Sequence, residues 1–146
     1  MIIHTMSEGI TLARKLENDS AAFYETLAKK FAAEAETYLV FAKDNKKNVA
    51  QIDRAYYGVI TDALEGGYAL NLEADKYVIK TTLAAGAKTA EIVKQALVME
   101  DKIIDYYIVA AEQSRALMAD VPQTFLLIAK KRKTRKEKLE ELLLKA

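Results

Sequence analysis

Cysteine is absent from the 146 residues, which excludes disulfides, zinc–thiolate sites, iron–sulfur clusters and cysteine nucleophiles. A single histidine, His4, excludes metal sites built on several imidazoles, and its place ahead of the first helix marks it as a surface or terminal residue. One proline and five glycines leave little of the punctuation that a many-stranded sheet needs. Neither sign of charge dominates: 22 Lys and Arg stand against 21 Asp and Glu, a formal net charge of +1. That balance provides no global drive toward nucleic acid or an anionic membrane. Apolar runs such as Tyr38–Ala42 and Phe125–Ala129 are far too short to span a bilayer. The start, Met1-Ile2-Ile3-His4, has neither the basic residues nor the apolar stretch of a signal peptide, so the expected location is the cytoplasm, with no membrane contact.

What remains favours helices. There are 24 Ala and 16 Leu, and four segments repeat their apolar residues at alternating steps of three and four. They predict helices over about 7–33, 34–63, 89–116 and 122–144 of a single domain covering 1–146. Ser7 and Thr89 are N-cap candidates, and Pro122 suits a first turn. Between the second and third helices, Gly66-Gly67 interrupts the pattern, Tyr68–Leu72 alternates weakly as an extended segment, and Asp75–Ala85 is expected to hold a short helix before Gly86. A connection as long as 65–88 does not suit an up-down-up-down arrangement. The expected fold is all-α: a four-helix bundle with one long crossover between helices two and three.

The segments also repeat. The first helix maps onto the third at an offset of 83 residues, Glu17 onto Glu100 and Tyr24 onto Tyr107. The second maps onto the fourth at an offset of 87, Tyr38 onto Phe125, Phe41 onto Ile128 and Asn45 onto Arg132. Two similar helical hairpins imply a pseudo-twofold arrangement.

In mid-helix the stripes that should be apolar carry Glu17, Asn45, Asn48, Glu100, Arg132 and Arg135. Charged side chains are almost never fully buried unless paired. Six polar residues at matching depth on four helices therefore predict one buried cluster. Two carboxylates and two guanidiniums sum to zero, and each arginine fork can hold a carboxylate through two bonds. The alternative is a fourth helix rolled by about one position, with Arg132 and Arg135 in solvent. Phe125, Ile128, Leu139 and Leu142 bracket them on the same stripe and oppose it.

This pattern resembles the rubrerythrin-like members of the ferritin-like superfamily. It has a glutamate followed six and seven residues later by paired aromatics (Glu17 with Phe23-Tyr24, Glu100 with Tyr106-Tyr107), a second helix with Phe41-Ala42 or Ile128-Ala129, and one repetition of the whole. The resemblance implies a ferritin-like bundle whose core holds a di-iron site, with one Glu from each of two helices and a Glu-x-x-His pair from each of the others. Glu17 and Glu100 match the single glutamates. Asn45 and Asn48 stand where the first Glu-x-x-His is expected, Arg132 and Arg135 where the second is. Arginine neither ligates nor loses its proton, so no metal and no cofactor is expected. The family's tyrosines line its site, which extends that role to Tyr24 and Tyr107. Their residue-level reading is core aromatics with satisfied hydroxyls.

A non-catalytic binding or structural role is therefore expected, with a homodimer as the expected assembly. The competing expectations are a di-iron oxidoreductase or peroxidase with a rearranged site, drawing on Asp44, Asp101 or Asp105, and a single-metal or small-ligand site on Glu17, Glu100 and the asparagine amides. The run Lys130, Lys131, Arg132, Lys133, Arg135, Lys136 and Lys138 is spread around a helix and followed by Glu137, Glu140 and Glu141. It is expected to be a solvated, salt-bridged face and not a nucleic-acid patch. Tyr56, Tyr57 and Tyr68 are expected to pack the crossover or to form the dimer surface. No phosphate loop, nucleophile elbow or catalytic triad is present.

Overall fold

The computed structural model describes residues 1–59, 68–115 and 120–146. Among them are four long helices, α1 (Met6–Lys30), α2 (Ala35–Val59), α3 (Thr89–Ser114) and α4 (Asp120–Lys145). They are joined by a two-stranded antiparallel sheet of β1 (Ile2–Thr5) and β2 (Tyr68–Glu73). The protein is mostly helical.

Helix α1 begins at Met6, ahead of the expected Ser7 cap. The cap is Thr5, whose Oγ1 accepts from the Glu8 N–H at 3.1 Å while the Glu8 carboxylate accepts from the Thr5 N–H at 3.1 Å. This reciprocal pair satisfies two N-terminal donors at once. It places His4 in β1, half exposed, with its N–H also donating to Glu8. Thr89 likewise lies inside α3 as its first residue, after Lys88 at the N-cap position, which makes no side-chain cap. Helix α1 stops at Lys30, three residues before the predicted Ala33, where Phe31 turns the chain into a short 3-10 turn at Ala32–Glu34.

Helix α1 packs along α2 and α3 along α4, and the two pairs meet mainly through α2 and α4. The inward stripes supply the core. Tyr24 stacks on Tyr38 at 6.1 Å between ring centroids and meets Phe41 edge-on at 5.2 Å. In the other pair Tyr107 packs on Phe125 at 5.2 Å. These contacts relate the residues that the repeat aligns.

The connection from β2 to α3 corrects one expectation. Tyr68–Glu73 is extended, but no α-helix forms over Asp75–Ala85. A 3-10 turn at Ala74–Tyr77 gives way to irregular chain. Val78, Ile79, Thr81 and Thr82 are β-branched and resist helix. Side chains of α3 also take the carbonyls that a helix would use. Lys102 Nζ donates to Val78 O at 2.9 Å, and Gln95 Nε2 donates to Lys80 O at 3.1 Å and Thr82 O at 2.9 Å. Gln113 closes the far end, accepting from Asn71 N–H at 2.7 Å and donating to Asn71 O at 3.1 Å. Three carbonyls of the connection and one of β2 are thereby tied to α3. Tyr56 is buried, whereas Tyr57 is 62% exposed under Arg14. The side chain of Tyr68 and the Gly66-Gly67 break lie outside the described residues.

Candidate functional site

All six polar residues of the mid-helix stripes converge. Glu17, Asn45, Glu100 and Arg132 are fully buried, Asn48 is 1% exposed and Arg135 is 5% exposed. The rolled alternative for α4 is thus not adopted: both arginines point inward, held there by Phe125, Ile128 and Leu139 of the same face.

Arg132 is the centre. Its Nη1 donates to both oxygens of Glu100, at 2.8 and 2.6 Å. Its Nη2 donates to Glu17 Oε2 at 2.8 Å, and its Nε reaches the same oxygen at 3.2 Å. Nη2 also lies 3.1 Å from Ser20 Oγ and 3.3 Å from Asn45 Oδ1. Every guanidinium nitrogen therefore has an acceptor, the condition under which a buried charge is tolerated. Burial alone would lower the proton affinity of Arg132. Glu100, and then Glu17, more than offset it and raise the value.

Arg135 is bound more loosely. Its Nη1 donates to Glu100 Oε1 at 3.2 Å and its Nη2 to Phe41 O at 3.2 Å. Its guanidinium carbon sits 4.8 Å from the Phe41 ring centroid and 5.3 Å from that of Tyr24, within cation–π range. Burial would raise the Glu100 carboxyl, but Arg132, then Arg135, and the Tyr24 hydroxyl hold it below its ordinary value.

The tyrosines complete the carboxylates across the two hairpins. Tyr24 donates to Glu100 Oε1 at 2.6 Å, and Tyr107 donates to Glu17 Oε2 at 2.7 Å. Both are fully buried core aromatics with paired hydroxyls. Burial first, and the partner carboxylate second, push both phenols well above their ordinary value. They act as hydrogen-bond donors and hold their protons.

The asparagines fill the remaining positions. Asn48 Nδ2 donates to Glu17 Oε1 at 2.9 Å, and Asn45 Nδ2 donates to Ser20 Oγ at 2.9 Å. Ser20 was absent from the predicted cluster although it shares the stripe of Glu17 and Tyr24. Its hydroxyl donates to Leu16 O at 2.7 Å and to Glu17 O at 3.1 Å, so it receives Arg132 and Asn45 as an acceptor. A serine three residues after a buried glutamate, on the same face, was the available signal.

Asp44, Asp101 and Asp105 do not join the cluster. Asp101 is exposed and ion-paired with Lys136 at 2.5 Å, Asp105 is exposed, and Asp44 is half-buried in the groove between α2 and α4. The basic run divides: Arg132 and Arg135 turn inward, while Lys130, Lys131, Lys133 and Lys138 are exposed. Among the described residues, no group of three or more His, Cys, Asp or Glu side chains is disposed to hold a metal ion. No helix among them is long and apolar enough to cross a membrane. Comparison with protein-family models, curated proteins and solved structures finds no match.

Proposed function

We propose that this chain is a rubrerythrin-like member of the ferritin-like superfamily in which an internal salt-bridge network has taken the place of the di-iron centre. On this reading it is a non-catalytic binding or structural protein. The observation that carries the reading is Arg132: one guanidinium bridges the two glutamates that the family pattern would assign to metal.

The donor set does not fit the metal. A pair of hard cations needs several carboxylates or imidazoles. The cluster offers two carboxylates, both already saturated by Arg132, Arg135, Asn48 and the two tyrosines. Arg132 and Arg135 add two permanent positive charges where cations would sit, so repulsion opposes a further cation. Two glutamates and two arginines leave the cluster formally neutral. Support for the family topology comes from the repeat offsets, the long link between α2 and α3, and the crossed Tyr–Glu pairs that join the hairpins.

Elemental analysis of protein expressed with iron, manganese and zinc in excess tests this. The expected result is no stoichiometric metal. A stoichiometric pair of irons, removable by chelator with loss of thermal stability, would overturn the reading.

A further inference from the structure

The two buried arginines differ in how many of their donors the protein uses. A guanidinium carries five N–H groups on three nitrogens. In Arg132 each nitrogen has an acceptor. In Arg135 only Nη1 and Nη2 do, with Glu100 Oε1 and Phe41 O, each at 3.2 Å. The Arg135 Nε–H makes no hydrogen bond within the chain. Nor is that donor sealed. Tyr38 Oη and Asn48 Oδ1 are enclosed and lack a partner, but no atom of Arg135 is in that state. The side chain is 5% exposed and lines a cavity of about 240 Å³ that opens to solvent between α2 and α4. A permanent cation, almost wholly buried against the Phe41 and Tyr24 rings, thus presents an unused donor to that cavity.

Three further side chains set the charge there. Lys131 and Lys138 stand four residues before and three after Arg135, on the same side of α4, and both are exposed at the edge of the cavity. Lys138 has no ion-pair partner among the described residues, and Lys131 donates to the neutral Gln51 Oε1 at 3.1 Å. Asp44 of α2 lines the cavity too, half-buried, and forms no ion pair with any of the three cations. Three positive charges against one negative favour an anion. Asp44 then decides which anion. An ionised carboxylate only accepts hydrogen bonds, and it repels an anion whose oxygens carry no proton. An oxyanion that keeps an O–H turns that repulsion into a charge-assisted hydrogen bond.

We infer that this cavity binds inorganic phosphate as the hydrogen phosphate ion. Arg135 Nε–H and the two lysines donate to its bare oxygens, and its P–OH donates to Asp44. Sulfate has the same tetrahedral shape but no proton near neutral pH. A phosphodiester has none either, which sets a nucleic-acid backbone aside, and a phosphate monoester sheds its last near pH 6. Inorganic phosphate keeps one throughout the neutral range. Size agrees: the volume is several times the roughly 30 Å³ share of one water, room for the ion and part of its hydration. Arg135 keeps Glu100 and Phe41 O on its two Nη atoms while Nε–H faces the ligand. The inference goes beyond the metal-free reading and does not require it, because the cavity lies beside the Arg132 salt bridges.

The test is a titration of the intact chain with phosphate and with sulfate, at neutral pH and at an ionic strength held constant with sodium chloride. It is followed by the nitrogen-15 and proton shifts of Arg135 Nε–H and by calorimetry. Phosphate should shift that resonance saturably, at one ion per chain, with half-saturation in the millimolar range or below. Sulfate should bind at least about tenfold more weakly. Asp44→Asn, whose amide can donate to a bare oxygen, should bring the two ions within about threefold of each other. Lys138→Met should weaken both ions about fivefold, and Lys133→Met, exposed on the same helix outside the cavity, should weaken neither. All three substitutions lie outside the core and should leave the melting temperature measured without phosphate unchanged. The titration of the parent chain decides by itself: no saturable shift with phosphate, or sulfate bound as tightly, overturns the proposal. An unchanged preference in Asp44→Asn overturns it as well. So does equal weakening by Lys133→Met and Lys138→Met, which would reveal an adventitious ion only. Metal analysis reads none of these quantities, so the two proposals fail separately.

Discussion

The Tyr24 hydroxyl bonds not to Glu17, seven residues earlier on its own helix, but to Glu100 on α3, 2.6 Å away, and Tyr107 returns the arrangement to Glu17 at 2.7 Å. Each hairpin thus completes the carboxylate of the other. Removing one hydroxyl leaves a buried carboxylate short of a donor. Tyr24→Phe and Tyr107→Phe should each destabilise by about 1.5–3 kcal/mol, the range for bonds to charged groups. A double-mutant cycle checks the crossing: Tyr24→Phe should couple to Glu100→Gln by more than about 0.5 kcal/mol and to Glu17→Gln by less. The reverse order would show that the pairs run within each helix.

Arg132 has the largest single effect expected in the chain. Arg132→Ala leaves two buried carboxylates facing a cavity with only Arg135 in compensation, a loss of about 3–5 kcal/mol. Lys133→Ala, one residue along and exposed, should stay within about 0.5 kcal/mol of the parent. Arg132→Lys should rescue little, because a single ammonium cannot reproduce the fork that spans both glutamates. Urea denaturation of the three variants measures the order.

The pH dependence has two sides with opposite signs. The Glu100 value is lowered in the folded state, so its stabilisation is present above the ordinary glutamate range, near 4.3, and is lost as pH falls through the lowered value. Tyr24 and Tyr107 are raised, so the folded state keeps their protons. That stability is whole below about 10 and declines as pH climbs beyond it. Tyr38 is pushed up to about 12, by burial and then by Glu34, and adds to the alkaline side. Tyrosinate absorbance should therefore rise in step with loss of helical circular dichroism. Smooth ionisation of all the tyrosines with the helices intact would contradict it.

The Gln113 side chain continues the two-stranded sheet beyond β2, exchanging two hydrogen bonds with the backbone of Asn71. Gln113→Ala should therefore speed hydrogen exchange at the Asn71 amide selectively, leaving the α1 core amides protected. Equal exchange rates at Asn71 in variant and parent would show that the contact does not hold β2.

Much of this arrangement was legible in the sequence because polar residues interrupted otherwise regular apolar stripes. Glu17, Asn45, Asn48, Glu100, Arg132 and Arg135 declared their shared depth through spacing alone, and the inward turn of the arginines followed from the apolar residues around them. The cross-pairing of the tyrosines was not legible, since a heptad offset states which face a residue occupies and not which neighbour it reaches. Ser20 escaped because a small hydroxyl is neutral in a helix stripe until an arginine is known to lie beside it. The Asp75–Ala85 segment misled for a related reason. Its irregular path depends on Gln95 and Lys102, distant residues that take its carbonyls. The capping box at Thr5 and Glu8 was missed in favour of Ser7 because the strand that ends at Thr5 is defined only by its pairing with β2.

The four buried charges cancel only as a set. Neutralising any one of Glu17, Glu100, Arg132 or Arg135 leaves an unpaired unit of charge in the interior. Exchange at these positions should therefore proceed through compensated double changes, an epistatic lock that keeps the protein in its present chemical state.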